Sequence, residues 1–108
     1  MTRYVLNTAV ISNPGMYAYH LITRDEARAW LKRGPVVSRV GYPATADFIR
    51  RALGVTLDLS REPTSMHTGD EALVVRLKYR MADTRPKAVD SGWAEDDFEL
   101  GLLRCLAL

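Results

Sequence analysis

Val36–Leu53, VVSRVGYPATADFIRRAL, is the stretch on which the fold turns. Val36–Val40 predicts a buried strand, Gly41-Tyr42-Pro43 a corner, and the remainder a helix that runs to Leu53 and is stopped by Gly54. Proline is tolerated at the first helical position because its missing N–H would be unpaired there in any case. Pro43 is therefore expected as the first helical residue and Tyr42 as the N-cap. Thr45, Phe48, Ile49, Ala52 and Leu53 then share one face at helical spacing. A helix N-terminus presents unpaired N–H groups and the positive end of the helix dipole, which suits a phosphate. Gly41 would let a ligand approach the backbone. The stretch reads either as an anion seat with Tyr42 beside it or as an ordinary strand–helix connection.

Toward the N-terminus, Tyr4–Ile11 (YVLNTAVI) predicts a first strand interrupted by Asn7. An unpaired buried amide costs about 1–3 kcal/mol, so Asn7 needs a partner. That partner is either a neighbouring loop or a ligand at the strand end. Ser12-Asn13-Pro14-Gly15 has turn composition, and Tyr17–Ile22 is a second short strand. Thr23 and Glu26 form a capping box for a helix to about Arg33, with Ala27, Trp30 and Leu31 as its apolar stripe and Gly34-Pro35 as its stop.

Toward the C-terminus, Val55–Leu59 is a candidate strand and Ser60–Gly69 a loop holding Arg61 and His67. Glu71–Arg80 (EALVVRLKYR) is the clearest strand. Leu73, Val75, Leu77 and Tyr79 alternate with Val74, Arg76, Lys78 and Arg80, which predicts three cations along one side. Such a row needs solvent, acids or a polyanion to offset its repulsion. It is either a solvent-facing antiparallel strand or a phosphate-binding face. Met81–Trp93 is polar and irregular, a candidate lid. Phe98–Leu108 is read as a last strand, with a helix as the alternative.

At 108 residues and 47% apolar composition, the chain suits one domain with a real core, an α/β domain with a mixed sheet flanked by helices. No apolar run approaches the ~20 residues of a membrane span, and the N-terminus is too short in apolar residues for a signal peptide. The single Cys105 excludes an internal disulfide and fits a reducing cytoplasm. It lies in an apolar tail, which favours an inert buried thiol. A net charge of +2 neither demands nor excludes a polyanionic partner, and duplex nucleic acid is not expected. His20, His67 and Cys105 are widely separated and in no ligand spacing, so no metal site is expected. No phosphate-loop, dinucleotide or nucleophile-elbow motif is present. Any catalysis is therefore expected to need neither metal nor cofactor. Arginines, a phenol and carboxylates remain, and they suit phosphodiester chemistry carried by positioning and charge stabilisation.

Taken in order, YVLNTAVISNPG, VGYPATADFIRRALGV, SREP, GDEALVVRLKYR and FELGLL span nearly the whole chain. Together they resemble the small viral and phage ring nucleases that act as anti-CRISPRs against type III systems. The resemblance implies a homodimer that binds a cyclic oligoadenylate, typically cyclic tetra-adenylate, across its interface. It implies metal-independent cleavage, in which a ribose 2′-hydroxyl attacks the neighbouring phosphate and leaves a 2′,3′-cyclic phosphate. For a viral member, the host cytoplasm is the expected location.

By the same resemblance, Asn7 matches a ligand-contacting asparagine and Arg61 an arginine that reaches the bound ring. Gly41 matches the glycine of the family's Gly-His motif, and Arg80 the arginine near the scissile phosphate. Asp83 stands where the family usually has glutamate, one methylene longer. Tyr42 replaces the histidine taken as the general acid. A phenol is a weaker acid than an imidazolium by about three to four units, and general acid–base catalysis is worth roughly 10²–10⁴-fold. Three readings follow: a slow ring nuclease with Tyr42 as donor, a non-cleaving protein that sequesters the messenger, and a structural or interaction protein that kept only the fold.

Overall fold

A computed structural model of the chain describes residues 1–8, 11–77 and 98–108 and arranges them around one five-stranded sheet. The strands are β1 (Arg3–Leu6), β2 (Met16–Leu21), β3 (Val37–Arg39), β4 (Glu71–Leu77) and β5 (Phe98–Ala107), in the order β2-β5-β4-β1-β3. β1 runs parallel to β3 on one side and to β4 on the other, and β5 is antiparallel to both β4 and β2. The fold is thus a small α/β domain with a mixed sheet.

Two helices supply the layer against one face. The first, α1 (Arg24–Leu31), begins with the capping box: Thr23 accepts from the Glu26 N–H, and the Glu26 carboxylate accepts from the Thr23 N–H. The second, α2 (Pro43–Phe48), starts at Pro43 with Tyr42 as N-cap and continues as a π-helical turn over Ile49–Leu53. Gly54 closes it in the left-handed conformation at φ 77°, which glycine adopts without a Cβ penalty. The helical stripes meet the sheet as their spacing requires. Ala27, Trp30, Leu31, Phe48, Ile49, Ala52 and Leu53 pack with Val5, Leu73, Val75 and Phe98. The Phe48 and Phe98 rings stack with centroids 4.2 Å apart.

The opposite face is covered by loop chain. Met66 is fully buried there with Leu6, Ala72, Val74, Leu103 and Cys105, and Ile11 and Tyr17 pack alongside. β4 is therefore buried on both faces along Glu71–Val75, which excludes the solvent-facing reading for that part of the strand. Arg76 is exposed, and its register partner Glu99 on β5 accepts a 2.7 Å bond from Arg76 Nε. An acid thus offsets the first cation of the expected basic row. Lys78, Arg80, Asp83 and the candidate lid Met81–Trp93 lie outside the described residues.

Two further expectations are corrected. β1 ends at Leu6 rather than Ile11, because beyond the Leu6–Arg39 and Leu6–Val74 pairs the chain leaves the sheet. The segment 55–59 is not a strand. Val55 and Leu57 lean on the helical core, and the Asp58 carbonyl accepts from the Ser38 hydroxyl without forming a ladder.

Glu71 fastens helix to sheet. In register it sits between Arg3 on β1 and Arg104 on β5. Its carboxylate accepts from Trp30 Nε1 at 3.0 Å and from Arg104 Nη2 at 2.7 Å. The Arg3 guanidinium lies 4.0 Å from the centroid of the Trp30 ring and donates to the carbonyls of Gly34 and Trp30. Burial pushes the Glu71 carboxyl up, but bonds from Trp30 and Arg104 and the charges of Arg104 and Arg33 outweigh it and hold it below its usual value. Burial likewise pushes neighbouring Asp70 up, and bonds from the Thr2 and His67 N–H groups with the His67 and N-terminal charges bring it below its usual value. A carboxylate depressed by folding stabilises the native state above its unfolded pKa, and that stabilisation is lost as pH falls through the folded value. Stability to urea should therefore drop between pH 7 and pH 3. Glu71→Gln keeps an acceptor for Trp30 but loses the charged partner of Arg104. It should cost about 1–3 kcal/mol at pH 7 and shrink the acid-induced drop; an undiminished drop would contradict the assignment.

Candidate functional site

Beyond the Leu6–Arg39 pair the ends of β1 and β3 are no longer bonded backbone to backbone. The Asn7 side chain takes over: its Oδ1 accepts from the Gly41 N–H at 3.1 Å. The Val40 carbonyl turns to the following loop and accepts from the Ser60 N–H at 2.9 Å. That bond brings Arg61 onto the Gly41-Tyr42 corner. A cleft of about 240 Å³ opens between these pieces, lined among others by Asn7, Arg39, Gly41, Tyr42, Arg61 and Glu62. It sits at the carboxyl ends of the parallel strands β1 and β3, where β3 and the next strand in the chain, β4, lie on opposite sides of β1. Open α/β sheets bind ligands at such switch points.

The loop that forms the outer wall is clamped despite having no ladder. The Thr64 carbonyl accepts from both the N–H and the hydroxyl of Ser12, each at 2.8 Å. The Asn13 amide makes a two-way bond with the Met66 backbone, donating to its carbonyl at 2.8 Å and accepting from its N–H at 2.9 Å. Buried Met66 then pins the loop into the second core. The turn composition of Ser12–Gly15 located this element but not its clamping role.

Gly41 is required by space. A Cβ there would lie 2.8 Å from Arg61 Cγ and 3.4 Å from the Ser60 carbonyl oxygen. Tyr42 is 44% exposed, and the Arg61 guanidinium stands 5.8 Å from its ring centroid, within cation–π range. Its side chain makes no capping bond to α2. The α-helical part of α2 is only six residues long before its π-helical turn, and the cleft beside its start is lined by Arg39 and Arg61.

Four of the residues singled out by sequence (Asn7, Gly41, Tyr42 and Arg61) thus line one cleft, while Arg80 and Asp83 lie outside the described residues. Neither His20 nor His67 lines this cleft; His67 is exposed beside Asp70, at 3.7 Å. Sequence reasoning missed Arg39 and Glu62. Arg39 Nη2 lies 3.6 Å from a Glu62 carboxylate oxygen, and Arg39 Nη1 donates to the Ser38 carbonyl at 3.2 Å. A charged residue at the carboxyl end of a short parallel strand was the available signal. Among the described residues, no group of three or more His, Cys, Asp or Glu is placed to hold a metal ion. No helix among them is long and apolar enough to cross a membrane.

Fold and cleft define a small α/β domain with an open, arginine-lined crevice at the ends of parallel strands. The chain belongs to the STIV B116-like family, whose model matches residues 3–89. Its structure is similar to that of B116 of Sulfolobus turreted icosahedral virus, with a TM-score of 0.71 at 14% identity, covering 96% of this chain and 99% of that one. The sequence is 27% identical over 85 residues to ORF117 of Acidianus two-tailed virus, covering 74% of this chain and 73% of that protein. It is 37% identical over 59 residues to YddF of Bacillus subtilis (strain 168), covering 53% of this chain and 55% of YddF. The match therefore spans about half the length of YddF. Viral proteins are among the relatives of this chain.

The Asn7 bond yields a stability prediction. Asn7→Ala leaves the Gly41 N–H without its acceptor and should cost about 1 kcal/mol, whereas Asn7→Asp keeps an acceptor oxygen and should stay near wild type at neutral pH. Equal loss in both variants, measured by urea unfolding, would show that the amide acts through something other than accepting from Gly41.

Proposed function

We propose that the protein binds a cyclic oligoadenylate, with cyclic tetra-adenylate the expected ring, and antagonises type III CRISPR signalling by slow, metal-independent cleavage. The observation that carries this reading is the convergence of Asn7, Gly41, Tyr42 and Arg61, drawn from three separate segments, on one cleft. These are four of the positions that the resemblance to viral ring nucleases implicates. At about 240 Å³ the cleft falls short of the ~300–1,000 Å³ typical of small-molecule sites. It suits one part of a larger ring, which fits a ligand shared between two copies of the chain in a symmetric dimer.

The chemistry follows from the residue types. A ribose 2′-oxygen attacks the adjacent phosphorus, forming the 2′,3′-cyclic phosphate, and the bond from phosphorus to the 5′-oxygen breaks. The hydroxyl proton passes to water. The Tyr42 phenol donates its proton to the departing 5′-oxygen and is reprotonated by solvent. Arg61 offsets the charge that builds on the phosphoryl oxygens, a role that fixed guanidinium groups fill without reorganisation. Arg80 and Asp83 are expected to complete the site.

The second reading, sequestration without turnover, is favoured by the absence of either histidine from the cleft lining. One set of measurements separates the two. Wild type should bind cyclic tetra-adenylate in calorimetry and cleave it slowly in single turnover. Tyr42→His should raise the cleavage rate at least about tenfold, and by no more than the roughly 10²–10⁴ available to acid–base catalysis. Tyr42→Phe should abolish residual cleavage with affinity held within a few-fold. Binding with no cleavage in wild type would support sequestration, and no binding at all would overturn both readings. The dimer is tested separately: light scattering with and without the ring should give twice the chain mass, and a monomer in both conditions would contradict it.

A further inference from the structure

Arg39 is held unusually loosely for a guanidinium in the wall of a cleft. Its side chain is only 22% exposed, yet Nη2 sits 3.6 Å from Glu62, beyond hydrogen-bond distance. Among the described residues, its Nε is the one buried side-chain nitrogen or oxygen without a hydrogen-bond partner. The Tyr4 ring offers only a distant face, 5.7 Å from the guanidinium carbon. Glu62 is the opposite kind of partner: its side chain is 74% exposed and sits on the loop that also carries Arg61. A largely covered cation, bonded to the Ser38 carbonyl through Nη1 but not to Glu62, is thus paired with a well-exposed carboxylate. Other arginines of the chain are better matched. Arg104 meets Glu71 with two bonds, at 2.7 and 3.2 Å, and Arg76 meets Glu99 at 2.7 Å.

We propose that Arg39 is a second phosphate-binding guanidinium of the cleft, and that Glu62 is a built-in competitor which an incoming phosphodiester displaces. This rests on the reading of the cleft as a phosphodiester site and adds a regulation to it. Both Arg39 and Arg61 line the same cleft, so one phosphate group can be met from two walls. Guanidinium matches phosphate bidentately, a geometry that the single 3.6 Å contact to Glu62 does not use. Displacing Glu62 lowers net affinity but selects for ligands whose negative charge repays the exchange, so neutral nucleosides are disfavoured.

The test has two arms. In the first, inorganic phosphate is titrated at constant ionic strength made up with chloride, and the arginine Nε–H resonances are followed by NMR. The Arg39 Nε–H should move saturably, and Glu62→Gln should reach the same shift at about two- to fivefold lower phosphate, the worth of one partly exposed ion pair. In the second, cyclic tetra-adenylate binding is measured by calorimetry: Glu62→Gln should tighten it by a similar factor and Arg39→Lys should weaken it. Glu62 is exposed, so Glu62→Gln keeps the fold and remains informative if Arg39→Lys does not. An Arg39 signal that moves no more than that of Arg28, whose Nε is bonded to the Ala52 carbonyl, would overturn the inference, as would unchanged titrations in Glu62→Gln. If phosphate moves Arg39 but cyclic tetra-adenylate does not bind, the inference holds and the functional reading fails. If the ring binds equally well to wild type and Glu62→Gln, the reading holds and the inference fails.

Discussion

The hydrogen bond from the Gly41 N–H to Asn7 Oδ1 is the constraint around which the cleft end of the molecule is built. Two parallel strands that stay paired leave no room for a ligand between them, and two that simply diverge leave backbone groups without partners. Here β1 and β3 stop pairing at Leu6 and Arg39, and a side chain replaces the next rung. The strand ends are held apart at a fixed width with the Gly41 N–H still satisfied. Backbone donors away from water must be bonded, so the amide at position 7 both opens the cleft and keeps the opening from costing stability.

The loop from Ser60 to Met66 depends on the same economy. It has no ladder of its own, yet the Val40 carbonyl, Ser12 and Asn13 each hold one part of it, and Met66 seals it against the sheet. Arg61 is delivered to the Gly41-Tyr42 corner by these anchors. Gly41 has no side chain because the stem of Arg61 occupies that space. The cleft is thus a consequence of how loops are fastened to the carboxyl ends of the parallel strands, while Glu71, at the other end of β4, locks the helical layer to the sheet through Trp30.

Much of the scaffold was legible because it follows local rules. Pro43 fixed the start of α2, the Thr23–Glu26 pair fixed the start of α1, and the helical spacing of Thr45, Phe48, Ile49, Ala52 and Leu53 named residues that are all buried. Elements set by distant contacts were not legible. Asn13 reads as a turn residue, and nothing nearby shows that it grips Met66, 53 positions away. Met66 lies in a polar stretch that no periodicity marks as core, and the alternation of β4 does not reveal that loop chain covers its second face. Apolar composition suggested a strand at 55–59, but a strand needs a bonded neighbour, and that segment spends its apolar side chains on the helical layer instead. At the site, Asn7 was legible as a polar break in a strand, Gly41-Tyr42 as a strand–helix corner and Arg61 through the family resemblance, whereas Arg39 and Glu62 emerge only once the strand ends are placed in space.

The central claim is that the cleft held open by Asn7 is where a cyclic oligoadenylate binds. The most direct measurement is an amide and side-chain NMR titration of the protein with cyclic tetra-adenylate, mapped residue by residue. The account predicts that the largest changes fall on the Asn7 side-chain amide, the backbone N–H groups of Gly41 and Tyr42, and the Ser60–Glu62 segment, with β2 and the outer end of β5 little affected. Changes centred on β2 and β5 with the Asn7 and Gly41 signals unmoved, or no changes at saturating ring, would contradict it.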